Sequence, residues 1–397
     1  MLTAKFAIGL MDQPFADPAA ADALVRCDAH KQLALESARR SIVLLKNDGL
    51  LPLKRESLKK LAVFGAGANK LPVGENYSGP FKRLWEAPDA KTPLEYLREY
   101  LEGYAEVIFA EDEDIDTVAA ACDAALYLTA VVEGEGMDRS DIRLPGVTRK
   151  AQADESAIIV GKFEAEIKTD QEESIRRMTA ANKNSAVILL NGAPVDMTAW
   201  LEDCAAVLEA WYPGEQGAQA ITEILFGEVS PSGKLPLTFY HGVEELPDFT
   251  DYSMKERTYR YFTGKALYPF GFGLSYTTFE VKDCAVDAEN GWVTATVANT
   301  GKMDGETVVQ IYVRDTESKY EVVNTHLAGF ARVALAAGEE KQVAVKLDKN
   351  AFTVVNDEGE RIADGKAYDL YCGLSQPDAL SVELTGQAPI KTTVTFE

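Results

Sequence analysis

Ala125-Leu126-Tyr127-Leu128-Thr129-Ala130-Val131-Val132 runs directly into Glu133-Gly134-Glu135-Gly136-Met137-Asp138-Arg139. The first half is a continuous apolar run of strand length, of the kind that is buried on both faces of a sheet. The second half is acidic and broken by glycines. A strand ending there would deliver a carboxylic acid on a bending loop to the rim of the sheet, where catalytic groups gather. Taken alone, Glu135 between two glycines reads first as a solvated acidic turn.

The surroundings extend the strand into a fold. Leu61-Ala62-Val63-Phe64, Ala186-Val187-Ile188-Leu189-Leu190 and Ala206-Val207-Leu208-Glu209-Ala210-Trp211 also read as strands. Helix candidates lie between them. Thr92-Pro93-Leu94 opens one with proline just inside, residues 117–125 give another, 171–182 carries Ile175 and Met178 three apart, and 218–226 precedes Gly227. The alternation over residues 36–245 predicts a layered α/β sandwich built on a mostly parallel sheet. Trp200 and Trp211 are expected in its core. Gly65-Ala66-Gly67-Ala68-Asn69 does not make a dinucleotide site, because the third glycine and the acidic residue about 20 positions on are missing; a tight strand exit explains these glycines.

Past residue 275 the period changes to two. Residues 292–297, 308–313, 342–347 and 368–372 are alternating or buried strands separated by Asn, Gly and Asp turns, which predicts a β-sandwich over 276–397. Residues 246–275 connect the two units.

Composition excludes some classes. Forty basic against 63 acidic residues give a net charge of −23, which repels phosphate backbones and anionic membranes, so neither nucleic acid nor a membrane is an expected partner. No run approaches the roughly 20 apolar residues of a membrane span. Cys27, Cys122, Cys204, Cys284 and Cys372 are odd in number and widely spaced, which disfavours a disulfide framework or a metal site and makes the cytoplasm the expected compartment. No cofactor is expected.

The segment from Val132 through Asp138-Arg139 to Leu144-Pro145-Gly146 resembles the loop of the family-3 glycoside hydrolases, the retaining β-glucosidases and β-xylosidases, that carries the general acid/base. The likeness continues in Ala38 to Gly49, in Trp211-Tyr212-Pro213-Gly214-Glu215-Gln216-Gly217, in Leu225 to Pro236 and in Tyr268 to Tyr276. Asn299-Thr300-Gly301, Leu327-Ala328-Gly329-Phe330 and Ala337-Gly338-Glu339 are similar to the fibronectin-III-like domain that follows in many members. That resemblance implies packing support as the sandwich's role.

Members of that family normally begin with a (β/α)8-type barrel that grips the sugar and supplies the nucleophile from a Ser-Asp-Trp context. No Ser-Asp-Trp occurs here, and none of His30, His241 and His326 follows a lysine. Residues 1–35 look like the remnant of the barrel's end and its linker. A fragment of a longer coding sequence and one subunit of a split enzyme both remain open.

The resemblance implies Glu135 as the acid, three before Asp138, with Glu133 as the alternative. Retaining hydrolysis sets such an acid about 5 to 5.5 Å from a carboxylate nucleophile, and this chain would hold only the acid. Desolvation under the sugar and a neighbouring carboxylate would keep it protonated. Asp138 and Arg139 read as a structural pair pinning the loop, with direct sugar contact the other possibility. Tyr77, after the first strand, either meets the sugar at the domain junction or is a packed surface aromatic. Residues 147–169 are 23 positions that many members lack; they form a flap beside the acid loop or a neutral insertion.

Two function classes follow. One is the acid-bearing part of a β-glycosidase acting on terminal β-linked glucose or xylose in oligosaccharides or aryl glycosides, inactive without the barrel. The other is a carbohydrate-binding or interaction protein left after loss of the barrel.

Overall fold

The computed structural model of the chain describes residues 1–13, 15, 17–70, 89–131, 139, 141–146 and 170–397. Its first unit is built on strands β1 (Val43–Asn47), β2 (Lys60–Phe64), β3 (Glu106–Phe109), β4 (Ala124–Leu128), β5 (Ser185–Leu189) and β6 (Ala206–Glu209), in the sheet order β1-β6-β5-β4-β2-β3. β2 to β6 are mutually parallel, and β1 closes one edge antiparallel to β6. The helices in chain order are α1 (Leu2–Ala7), α2 (Pro18–Leu24), α3 (Asp28–Ser41), α4 (Pro93–Tyr100), α5 (Ile115–Ala120), α6 (Gln171–Ala181) and α7 (Gly217–Leu225).

Strand alternation sorts the side chains into two cores. Leu61, Val63, Leu126, Leu128, Ile188 and Leu208 face Leu35 of α3, Leu94 and Leu97 of α4, and Ile221 and Ile224 of α7. Ala62, Phe64, Tyr127, Val187, Leu189 and Val207 face Ile115 and Ala119 of α5, and Ile175 and Met178 of α6. Both faces of the sheet are therefore covered, which is why these strands read as unbroken apolar runs. Each such Val, Leu, Ile, Phe or Met side chain contributes about 1.5–3 kcal/mol on burial.

α4 starts where the sequence places it. Thr92 and Glu95 close a reciprocal capping box, with Pro93 at the first helical position, worth about 1 kcal/mol. The helix expected over 117–125 is shorter, ending at Ala120. Asp123 accepts the backbone N–H groups of Lys59 (2.7 Å) and Lys60 (2.8 Å), which turns the chain and releases Ala124 and Ala125 into β4.

Beyond β7 (Phe239–Tyr240), α8 (Thr258–Tyr261) and β8 (Ala266–Tyr268), the chain forms a second, antiparallel unit. Its strands are β9 (Phe279–Asp287), β10 (Trp292–Asn299), β11 (Gly305–Asp315), β12 (His326–Leu335), β13 (Glu340–Lys346), β14 (Val354–Val355), β15 (Arg361–Ile362), β16 (Ala367–Gly373) and β17 (Ile390–Thr395), with α9 (Ala379–Thr385) before the last. Sheets β13-β10-β9 and β12-β11-β16-β17 enclose a core of Val293, Ala295, Val297, Val309, Ile311, Val313 and Leu370. Polar contacts tie the units together. Buried Gln310 donates to the carbonyls of Gly271 and Leu374, both at 2.9 Å, and Arg332 donates to Ser232 Oγ (2.7 Å) and to the Arg40 carbonyl (3.2 Å).

Candidate active site

The carboxyl ends of β2, β4, β5 and β6 form one rim, and the acid loop leaves that rim after β4. In an open parallel sheet this is where ligands are met, because the loops there diverge. The exit of β2 is pressed onto the exit of β4. Gly65 has φ +88°, and a Cβ on it would lie 2.2 Å from the Leu128 carbonyl oxygen; a Cβ on Gly67 would lie 2.2 Å from that of Thr129. These glycines serve a close backbone approach, in keeping with a tight strand exit.

Glu135, Glu133 and Asp138 lie outside the described residues, as do Tyr77 and the insertion 147–169. The feet of the acid loop are described. Thr129 is fully buried, and its Oγ1 accepts from Leu190 N at 3.0 Å, joining the exits of β4 and β5. Gln171, the first residue of α6, is 3 % exposed. Its Oε1 accepts from Ala130 N (2.8 Å), while its Nε2 donates to Ala130 O (2.9 Å) and to Pro145 O (2.8 Å). One carboxamide thus holds the chain on both sides of the loop.

Further contacts fix the returning side. Leu144 N donates to Glu172 Oε1 at 3.2 Å, and Asp196 N donates to the Ile142 carbonyl at 2.8 Å. Arg143 folds back on Asp141, whose carboxylate raises the guanidinium pKa through their hydrogen bond. Arg139 Nη2 donates to the Pro194 carbonyl at 3.2 Å, a loop-to-loop contact across the rim. Gly146 packs directly on Asp170, since a Cβ there would fall 1.8 Å from Asp170 Oδ1. The two ends of the insertion therefore meet.

β5 and β6 complete the rim. Glu209 is fully buried, accepting from Trp211 N at 2.9 Å and from Asn191 Nδ2 at 3.1 Å. Trp211 holds φ +57°, its indole donates to the Ser41 carbonyl at 3.2 Å, and its ring packs partly buried against the core at Phe239; Trp200 is fully buried in that core. On the next turn Glu215 receives Arg26, which also pairs with Asp89. Hydrogen bonds from Lys31 and Arg26 hold the Asp89 carboxyl well below the usual range.

Sequence reading had not singled out Gln171, Asn191 or Glu209. Glu209 carried a usable signal, a carboxylate inside an otherwise apolar strand. Gln171 carried none in its own neighbourhood, because its partners lie 41 and 26 positions away.

A three-layer α/β sandwich on a mostly parallel sheet, followed by a two-sheet antiparallel sandwich, defines the class. Residues 42–276 match the glycosyl hydrolase family 3 C-terminal domain, and residues 307–376 match a fibronectin type III-like domain. The chain belongs to glycosyl hydrolase family 3. It is similar to a β-xylosidase of Formosa agariphila, 32 % identical over 97 % of this chain and 54 % of the relative, and to a periplasmic β-glucosidase of Salmonella typhimurium, 29 % identical over 94 % and 53 %. Among solved structures, a β-glucosidase from Erythrobacter marinus superposes with a TM-score of 0.78 at 29 % identity, over 99 % of this chain and 54 % of that one. The chain spans about half the length of the relatives it matches.

Proposed function

We propose that this chain supplies the general acid/base, Glu135, of a retaining β-glycosidase that removes terminal β-linked glucose or xylose, and that a barrel domain supplies the nucleophile and the sugar pocket. The observation that carries this reading is the clamp by Gln171 on both feet of the acid loop, at the carboxyl rim of the sheet. A proton donor must be held within hydrogen-bond reach of the leaving oxygen, and a loop fixed at both ends does this at little entropic cost. Arg139, reaching Pro194, contributes to the same restraint; Asp138 is its proposed partner, and Tyr77 and Glu133 line the sugar's approach. Leu2, Phe6, Ile8, Phe15, Leu24 and Val25 are apolar residues exposed within the first 25 positions, which supports a further domain packing over them.

The test supplies the barrel, on the same polypeptide or as a second chain, and measures turnover of aryl β-glucosides and β-xylosides of graded leaving-group acidity. Glu135→Gln is expected to slow poor leaving groups by roughly 10²–10⁴-fold and activated ones far less. Glu133→Gln should have the smaller effect. An equal loss on all substrates, or a larger loss at Glu133, moves the acid elsewhere. Sugar binding without any turnover in the presence of the barrel would favour the carbohydrate-binding alternative.

A further inference from the structure

Two cysteines share one core in the second unit. Cys284 on β9 pairs across the ladder with Ala295 of β10, and Cys372 on β16 pairs with Ile311 of β11. Directly opposed residues of an antiparallel pair point to the same face, and Ala295 and Ile311 are both fully buried between the sheets. Each sheet therefore sends one thiol inward. Both belong to the same core of the sandwich, where the two side chains interact directly. β9 is an edge strand of its sheet, and Cys284 is half-buried there, whereas Cys372 is fully buried.

We propose that Cys284 and Cys372 form a disulfide on exposure to a small-molecule disulfide, a covalent modification site that locks the two sheets of the sandwich together. The inference is independent of the glycosidase reading.

The chemistry follows from the asymmetry of the pair. The hydrogen bond between them lowers the pKa of the Cys284 thiol, and the same bond together with burial raises that of Cys372. Cys284, half-buried on an edge strand where Cys372 is fully buried, is the accessible thiol and hence the attacking thiolate. It displaces one thiolate from a small disulfide such as oxidised glutathione and forms a mixed disulfide. Cys372 then gives its proton to solvent and attacks Cys284 Sγ, and the second glutathione leaves. Two protein thiols and one glutathione disulfide become one protein disulfide and two glutathione thiols.

Cys27, Cys122 and Cys204 lie in the first unit and serve as internal controls. Cys204 is buried, and burial pushes its thiol up to about 11, which removes it as a competitor.

The experiment incubates the unsubstituted chain with oxidised glutathione, counts thiols after denaturation and maps a non-reduced digest by mass. The five free thiols should fall by two, with a single cross-link joining the peptides of Cys284 and Cys372. The unfolding midpoint should rise by roughly 5–10 °C and return on adding dithiothreitol. Cys284→Ser and Cys372→Ser should each abolish the cross-link and the shift. Five persisting thiols, a glutathione adduct that stops on Cys284, or a link to Cys27, Cys122 or Cys204 would overturn the proposal. Because the map is read on the unsubstituted chain, misfolding of a variant cannot obscure it.

Discussion

Gln171 and Ala130 form a two-way pair in which a side-chain amide takes the place of a neighbouring strand: Oε1 accepts from Ala130 N at 2.8 Å and Nε2 donates to Ala130 O at 2.9 Å. The ladder of β4 ends at Leu128, so this carboxamide continues the sheet's hydrogen bonding two residues beyond the strand. Its remaining proton binds Pro145, and the outgoing and returning chains become one rigid mouth.

Gln171→Leu should leave the Ala130 amide and two carbonyls unsatisfied, a loss of about 2–4 kcal/mol expressed locally. Gln171→Glu should also fail, because a carboxylate cannot donate to the two carbonyls. Hydrogen exchange followed by mass spectrometry should show faster exchange in peptides covering 130–146, with β5 still protected. Unchanged exchange there would mean that other contacts hold the loop.

Gly67→Ala should destabilise the first unit, because the added Cβ would meet Thr129 O at 2.2 Å and Leu190 Cδ1 at 2.9 Å. Backbone cannot yield as a side-chain tip can, so a loss of roughly 2–3 kcal/mol is expected in urea unfolding. Gly103→Ala is the control: its Cβ would meet nothing within 4 Å, leaving only the strain of φ +79°.

Glu209→Gln replaces two acceptor oxygens by one. Trp211 N and Asn191 Nδ2 both donate to Glu209, so a carboxamide must turn a donor towards one of them. The expected cost is about 1–3 kcal/mol. Trp211 fluorescence should report a less rigid strand end before global unfolding, and an unchanged emission profile would contradict this role.

His326 predicts an acid limb in the stability curve. Burial and the neighbouring Arg260 lower its pKa from 6.5 to about 4; Arg361 acts in the same direction, while Asp348 and a backbone hydrogen bond at Ala351 oppose them. Above pH 6.5 the imidazole is neutral whether the chain is folded or unfolded. Between pH 6.5 and 4 only the unfolded chain takes the proton, so stability falls with pH by roughly 3 kcal/mol in total and levels off below that window. His326→Gln should flatten this part of a pH series of urea midpoints; an unaltered slope would assign the acid limb to other groups.

What the sequence disclosed follows from the range of the interactions. β2, β4 and β5 were legible because burial on both faces leaves an uninterrupted apolar run, and the start of α4 was legible because its cap is local. The end of α5 was not, since alanines on either side of Asp123 favour a continued helix and only the distant Lys59 and Lys60 amides override them. β1 and β3 were missed as strands: one is an antiparallel edge, and the other is a short strand whose apolar residues are only half-buried. At the site, residue types in 133–139 suggested a chemistry through resemblance, while the contacts that pin the chain at Ala130 and Pro145 are long-range and invisible to spacing.

The contact between Gly146 and Asp170 makes this point of the chain a branch point. Closing a loop whose ends already touch costs only about 0.6 kcal/mol more for each doubling of its length. The sheet, the clamp and the start of α6 are thus indifferent to how much chain is spliced in at this position. Segments of quite different size and sequence can be exchanged between Gly146 and Asp170 as cassettes, so this stretch can diversify while the scaffold keeps its register.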